Sequence, residues 1–315
     1  MTEKYIQDPS CSLRIVAGQP PESRIKVSFV MPAYNEEDTI SLVIKMLKEA
    51  FNGPEIVVVD DASMDNTSEK AIEAGADKVI RHNKNRGPGA AFKTGAANSE
   101  GDFIVIVDAD GQHPVEEIKK VVSYVLENPL IDAVFTERTN VYSSGFVRSS
   151  GKVLISSVVK RLIGEKIRDH NCGLRAFRRT RLLPFMFMLP DGFSYVTTSL
   201  VLAYKEDFCI HWMDITMKRR EKGKSQVKVK HGLNTILLVF RLIVNFDPMK
   251  FFMPLTGVSF FTGILSIIYN WFFYGGPGKN YIFFFLFGSL VFVLGLLSEQ
   301  ITVLRKEILN LKSKE

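Results

Sequence analysis

Residues 102–114 read DFIVIVDADGQHP. Phe103 to Val107 are apolar without alternation, which predicts a strand covered on both faces, as in a parallel sheet packed between helices. Asp108 and Asp110 follow at once, two residues apart, so a chain that stays extended points both carboxylates the same way. Outward from this stretch, IKVSFVM (25–31), EIVVVD (55–60), DKVI (77–80) and IDAVF (131–135) are further β-branched runs. Between them EEDTISLVIKMLKEAF, NTSEKAIEAGA and PVEEIKKVVSYVLEN carry helical spacing. Strands alternating with helices predict an α/β, Rossmann-like domain with a mostly parallel sheet, whose ligand crevice lies beyond the carboxyl ends of the strands.

Three of those ends are polar: PAYNEED after the first strand, DDASMDNT at the second, DADGQHP after the fourth. Clustered carboxylates repel one another unless a cation joins them. All-oxygen donors predict Mg2+ or Mn2+ at Asp108 and Asp110, bridging to a diphosphate, with Gln112 as a further polar contact. Asp60 and Asp61 either accept a hydrogen bond from a base or ribose or cap the helix that follows. His113 reads as a helix-start residue before Pro114. The run GPGAAFKT (87–94) approaches a phosphate loop, but Phe92 stands where the second glycine is required, so it is read as a glycine-rich turn opening a packed helix. Gly87 and Gly89 are left to bring backbone close to a nucleotide.

The remaining third of the 315 residues is of another kind. FFMPLTGVSFFTGILSIIYNWFFY (251–274) is uncharged and longer than the ~20 residues that cross a bilayer as a helix. After GGPGKN, a second uncharged run starts at Tyr281 and reaches Ser298, about 27 Å of helix, which Ile301 to Leu304 extend. So short a connection makes the two antiparallel. Arg241 and Lys250 before the pair and Arg305, Lys306, Lys312 and Lys314 after it, against Lys279 alone in the turn, place the α/β domain on the cytoplasmic side. The expected organisation is a flexible tail (1–24), a cytoplasmic α/β domain (25–230), an interfacial amphipathic helix (231–249), membrane helices (250–274 and 281–304) and a cytoplasmic tail (305–315). The net charge of +6 does not indicate nucleic acid, because basic residues gather at the membrane junction and the predicted crevice is acidic. Three cysteines, an odd count without metal-ligand spacing, indicate neither a disulfide framework nor a zinc site, and fit a reducing compartment.

Taken in order, PAYNEE, VVDDAS, NRGPGAA, DADGQHP, DHNCGLRAFRR (169–179) and RREKGKS (219–225) resemble the inverting family 2 glycosyltransferases. The C-terminal pair looks like that of dolichyl-phosphate mannose synthases and bacterial polyprenyl-phosphate glycosyltransferases. The resemblance implies a GT-A fold and transfer of a hexose-type sugar, with inversion, from a UDP- or GDP-sugar to undecaprenyl or dolichyl phosphate at a cytoplasmic or endoplasmic reticulum membrane. By the same resemblance Pro32, Tyr34, Glu36, Val59 and Asp61 contact the nucleoside. Asp108, Ala109, Asp110 and Gln112 surround metal and diphosphate, Arg138 and Arg220 bind phosphate or sugar, and Asp110, Asp169 and Arg138 are the catalytic set. Where relatives commonly have Gly-x-Ser-Lys, this chain has Gly223-Lys224-Ser225-Gln226, which leaves the lysine contact to Lys224 or Lys228. The resemblance also allows a homo-oligomer packed through the hairpins.

A lipid monophosphate, with its second pKa near ~6, is already a dianionic nucleophile at neutral pH, so positioning and charge screening matter more than a general base. The basic run Lys218 to Lys230 is placed to receive it or to dock on anionic lipid headgroups, and Arg148 with Lys152 either grip it or lie in a solvated loop. The rival readings are a processive glycan synthase, for which the chain lacks a Gln-x-x-Arg-Trp motif, and a catalytically silent membrane scaffold, against which the retained acidic residues argue.

Overall fold

The computed structural model describes residues 25–139, 169, 172–217, 240, 243–244 and 246–312. Arg148, Arg220, Lys224, the 1–24 segment and most of 231–249 lie outside the described residues. The chain splits into two compact units, Met1–Lys152 with Glu165–Val229, and Val153–Gly164 with Lys230–Glu315.

The first unit is built on a seven-stranded sheet. Its opening half alternates as the sequence predicts: β1 (Val27–Ala33), α1 (Ile40–Ala50), β2 (Glu55–Asp60), α2 (Thr67–Glu73), β3 (Lys78–Arg81), α3 (Pro88–Ala97), β4 (Phe103–Ile106), α4 (Val115–Glu127) and β5 (Ala133–Arg138). After these come β6 (Arg175–Arg178), a helical turn at Arg179–Leu182, a 3-10 segment at Leu183–Met188, α5 (Tyr195–Lys205) and β7 (Ile210–Ile215). The strand order is β3-β2-β1-β4-β6-β5-β7. All neighbours are parallel except at β6, which runs against both β4 and β5.

The order explains where a site must form. From β1 the chain steps outward to β2 and β3, then returns to the other flank of β1 as β4, so the reversal point lies between β1 and β4 at their carboxyl ends. Because β6 is inverted, Arg175 pairs with Ile106, and the residues leading into β6 arrive at the carboxyl end of β4. Every residue of β4 is buried, and Val57, Val58 and Val59 of β2 have no exposed surface, as strands covered on both faces require. α1 and α4 lay Ile40, Val43, Ile44 and Leu47, and Ile118, Val121, Val122 and Val125, into one core with β1, β2 and β4. Cys209, just before β7, is disulfide-bonded, so one cysteine pair exists where none was expected; an odd count still permits one pair. Cys172 is free and buried.

The second unit is a helical pair, α6 (Met249–Tyr274) and α7 (Asn280–Lys312). Both are long and apolar enough to cross a membrane, over Met249–Tyr274 and Asn280–Leu304. α7 continues through Lys312, beyond the expected end at Leu304, because the charged run that follows contains good helix formers and no glycine or proline to stop it. The two helices meet through small residues. Ser259 donates to the Phe284 carbonyl at 2.7 Å, and a Cβ at Gly288 would stand 2.7 Å from the Phe260 ring. Their large apolar side chains, such as Phe272, Phe283 and Leu286, face outward, as lipid-facing residues do.

Candidate active site

Two acidic strand ends flank β1. At β2, Asp60 has no exposed surface. Its Oδ1 accepts the Ser63 amide at 2.8 Å, its Oδ2 accepts the Ser68 hydroxyl at 2.5 Å, and Arg81 lies 3.7 Å away. Asp60 thus ties β2 to the start of α2. Asp61 is 2% exposed. It accepts His82 Nδ1 at 2.7 Å and the amides of Arg86 and Gly87 at 2.9 and 2.6 Å, while His82 Nε2 meets the Thr94 hydroxyl at 2.9 Å. One carboxylate therefore fixes the loop that opens α3.

That loop packs its glycines against the 189–191 segment. Gly87 has φ +99°, and a Cβ there would stand 2.5 Å from the Asp191 carbonyl oxygen. The Ala90 amide donates to the same oxygen, and Lys93 Nζ reaches Asp191 Oδ1 at 2.5 Å and the Leu189 carbonyl at 3.0 Å. The glycines let α3 dock on the 189–191 segment. Val59 also changes place: it is fully buried and packs against α3 beside Gly95, so only its backbone remains for a ligand.

Pro32, Tyr34 and Glu36 are half-buried at the end of β1. The loop that carries them is stitched to the β2 end by Asn35 N to Ser63 Oγ (2.9 Å), Met64 N to Asn35 Oδ1 (2.8 Å) and Glu36 N to Thr67 Oγ1 (3.0 Å). Asn35 and Ala62 hold φ of 54° and 64°, left-handed values that non-glycine residues adopt at a cost of about 1 kcal/mol or more. The cross-links hold both residues there.

Beyond β4 the picture differs. Val107 still bonds to Val30, but the chain then leaves the sheet and turns at Ala109–Asp110 rather than remaining extended. Asp108, Asp110 and Gln112 are half-buried, whereas Ala109 and His113 are buried at 2% exposure each. Asp110 Oδ1 accepts the Gln112 amide at 3.1 Å and Oδ2 accepts Gln112 Nε2 at 2.8 Å, around Gly111 at φ +71°. Gly173, brought alongside by the inverted β6, backs onto Asp108: a Cβ there would lie 2.6 Å from Asp108 Oδ2. Asp108, Asp110 and Gln112 are hard oxygen-bearing groups on one accessible turn, and no three His, Cys, Asp or Glu side chains gather as a metal cluster among the described residues. That donor set fits a magnesium-type cation, which takes one or two carboxylates and completes its shell with phosphate oxygens and water.

Arg138, at the end of β5, meets Asp169 through a two-pronged pair, Nε to Oδ2 at 2.6 Å and Nη2 to Oδ1 at 3.1 Å. Burial acts against the Arg138 charge, but the Asp169 bond, with Asp169 and Asp108 nearby, holds its pKa above the ordinary value. Burial drives His113 down to about 4 against the opposing pull of Asp110, with Arg138 adding to the fall, so this imidazole is neutral at physiological pH. Burial likewise raises the Cys172 thiol and, with the Asp108 charge, the Tyr195 phenol.

Sequence reasoning missed Arg175. It is 1% exposed, donates to the carbonyls of Cys172 and Val196 and to Ser199 Oγ, and lies 4.8 Å from the centre of the Phe135 ring. Burial lowers its pKa to about 10. Its carbonyl partners are set by the fold, so the sequence carries no local signal for them.

Residues 28–182 match the model of the glycosyl transferase family 2, and residues 247–304 match the GtrB C-terminal hairpin. Residues 28–182 thus form a glycosyl transferase family 2 domain. Among curated relatives, the undecaprenyl-phosphate 4-deoxy-4-formamido-L-arabinose transferase of Proteus mirabilis (strain HI4320) is 35% identical over 164 residues, 49% of each chain. The protein of the same name from Pseudomonas fluorescens (strain SBW25) is 30% identical over 235 residues, 69% of this chain and 63% of that one. The chain spans about half the length of the first of these relatives. Among solved structures, glucosyl-3-phosphoglycerate synthase from Mycobacterium tuberculosis in complex with Mg2+ and UDP superposes with a TM-score of 0.54 at 20% identity, covering 70% of this chain and 78% of that one. At that identity the likeness establishes the fold, a mixed α/β sheet of the GT-A type.

Proposed function

We propose that this protein transfers a hexose-type sugar from a nucleoside diphosphate donor to a polyprenyl phosphate, with inversion, at the cytoplasmic face of the membrane that holds its hairpin. The observation that carries the reading is the accessible Asp108–Asp110–Gln112 turn at the sheet's reversal point, beside a β2 end whose carboxylates are already engaged. The relatives named as undecaprenyl-phosphate transferases support the acceptor, and the GtrB hairpin supports delivery from the bilayer. Neighbours crystallised with UDP and with Mg2+ or Mn2+ support a cation-dependent donor.

In this reading Pro32, Tyr34 and Glu36 bind the nucleoside, and the backbone of Val59 shapes its floor. Asp108, Asp110 and Gln112 hold the cation, which when bound neutralises charge on the departing diphosphate. A phosphate oxygen of the lipid attacks the anomeric carbon; the new C–O bond forms as the bond to the β-phosphate oxygen breaks, and the electron pair leaves with the nucleoside diphosphate. No proton need be removed, because the acceptor is already dianionic. Arg138, kept charged by Asp169, faces the phosphate that arrives or leaves. Arg148, Arg220 and Lys224 are further candidates for the acceptor phosphate.

The test incubates the purified full chain with undecaprenyl phosphate, UDP- and GDP-sugars, and Mg2+ or Mn2+, and measures nucleoside diphosphate release. Release that requires both lipid phosphate and cation is expected. Nucleotide binding without lipid-dependent turnover contradicts the reading.

A further inference from the structure

His113 is buried against the acidic turn and carries an unmet donor. The Asp108 amide, which can only donate, points at His113 Nδ1 at 3.4 Å, so Nδ1 is the acceptor and Nε2 bears the proton. That N–H has no hydrogen-bond partner. The carboxylate oxygen facing it is Asp108 Oδ2, at 3.9 Å, too far for a bond but about 1 Å from the usual range. The carboxylate also lies against Gly173, where a Cβ would stand 2.6 Å from Oδ2 and 3.3 Å from Oδ1. Asp108 therefore borders both a glycine backbone and a donor that a small rotation would satisfy. A buried unpaired donor is unfavourable, and closing the bond removes that cost.

We propose that His113 is a positioning residue: when nucleotide and cation load, its Nε2–H bonds Asp108 Oδ2 and turns the other oxygen toward the ligand. His113 does not itself bind the ion, because the nitrogen that faces the turn is protonated and its partner nitrogen is taken by the Asp108 amide. The inference rests on the assignment of Asp108 to the cation site made above. Groups that orient a ligand residue typically contribute tenfold or more to metal affinity.

Two variants separate the ring nitrogens. His113→Gln keeps a donor near where Nε2 stands, whereas His113→Asn keeps its amide near Nδ1 and places no group where Nε2 stands. Mn2+ binding to the full chain is followed by electron paramagnetic resonance with saturating UDP or GDP, whichever the wild type retains. The Asn variant is expected to bind Mn2+ about tenfold more weakly and the Gln variant within about threefold of wild type. Equal loss in both variants, or no loss in either, overturns the proposal. Should the Asn variant not fold, a structure of the wild type with Mn2+ and nucleotide decides: Nε2 to Oδ2 near 2.9 Å is expected, and a separation still beyond 3.5 Å overturns it. A wild type that binds nucleotide with no dependence on Mn2+ overturns the functional reading itself, and this inference with it.

Discussion

Asp60–Asp61 and Asp108–Asp110 are acidic pairs at strand ends on either side of β1, yet they have opposite fates. The first pair is 0% and 2% exposed, and its oxygens take amides, hydroxyls and an imidazole from α2, β3 and the α3 loop. The second pair is half-buried on a turn, braced by Gln112 and Gly173 and bordered by neutral His113. What separates them is where the chain leaves the sheet. Asp60 is still in register with Ala33, so its side chain meets packed neighbours, whereas Asp108 lies past the last β4 pairing. Like residues are tied into the fold in one place and, in the other, left open where the proposed cation site lies.

Exchanging charge for amide at each pair tests this division. Asp110→Asn should lower cation-dependent turnover by about a hundredfold to a thousandfold while leaving the thermal midpoint near wild type, read by nucleoside diphosphate release and calorimetry. Asp61→Asn should do the reverse first, destabilising the domain by about 3 kcal/mol, because a buried anion shared by three donors is lost. Gly87→Ala should cost roughly 2 kcal/mol, from its φ of +99° and the closeness of the Asp191 oxygen, and chemical denaturation would show it.

Acid should act on both regions. His113 has a folded pKa near 4, below its unfolded value, so the unfolded state binds more protons and stability falls as pH drops from about 6.5 toward 4. Glu55, opposed by burial but lowered by the Glu100 amide, Ser28 and Lys78, adds a loss at lower pH, as the medium falls through its depressed folded value. A thermal midpoint that is flat from pH 7 to 4 would contradict the His113 assignment. The smallest effect belongs to Lys93→Ala: its partner Asp191 is half-exposed, so the expected loss is about 0.5 kcal/mol.

The sheet was legible where apolar runs are pure: β1 to β5 fall within a few residues of IKVSFVM, EIVVVD, DKVI, DFIVIV and IDAVF. β6 was not, because RAFR has arginine at both ends and Arg175 is buried only with carbonyls supplied by Cys172 and Val196. The acidic turn after β4 was visible as a candidate, although its chain is not extended. The work of Asp61 was not visible, since its partners stand 21 to 26 residues along the chain and nothing local marks them. His113 looked like a helix start for the same reason: its burial and its unmet donor arise from packing.

The most direct test of the division is nucleotide binding by the wild type, Asp110→Asn and Asp61→Asn, measured by calorimetry with and without Mn2+ at a temperature where all three are folded. The account predicts that Mn2+ strengthens UDP or GDP binding in the wild type and in Asp61→Asn, and has no effect in Asp110→Asn. Enhancement by Mn2+ that survives in Asp110→Asn and disappears in Asp61→Asn would contradict it.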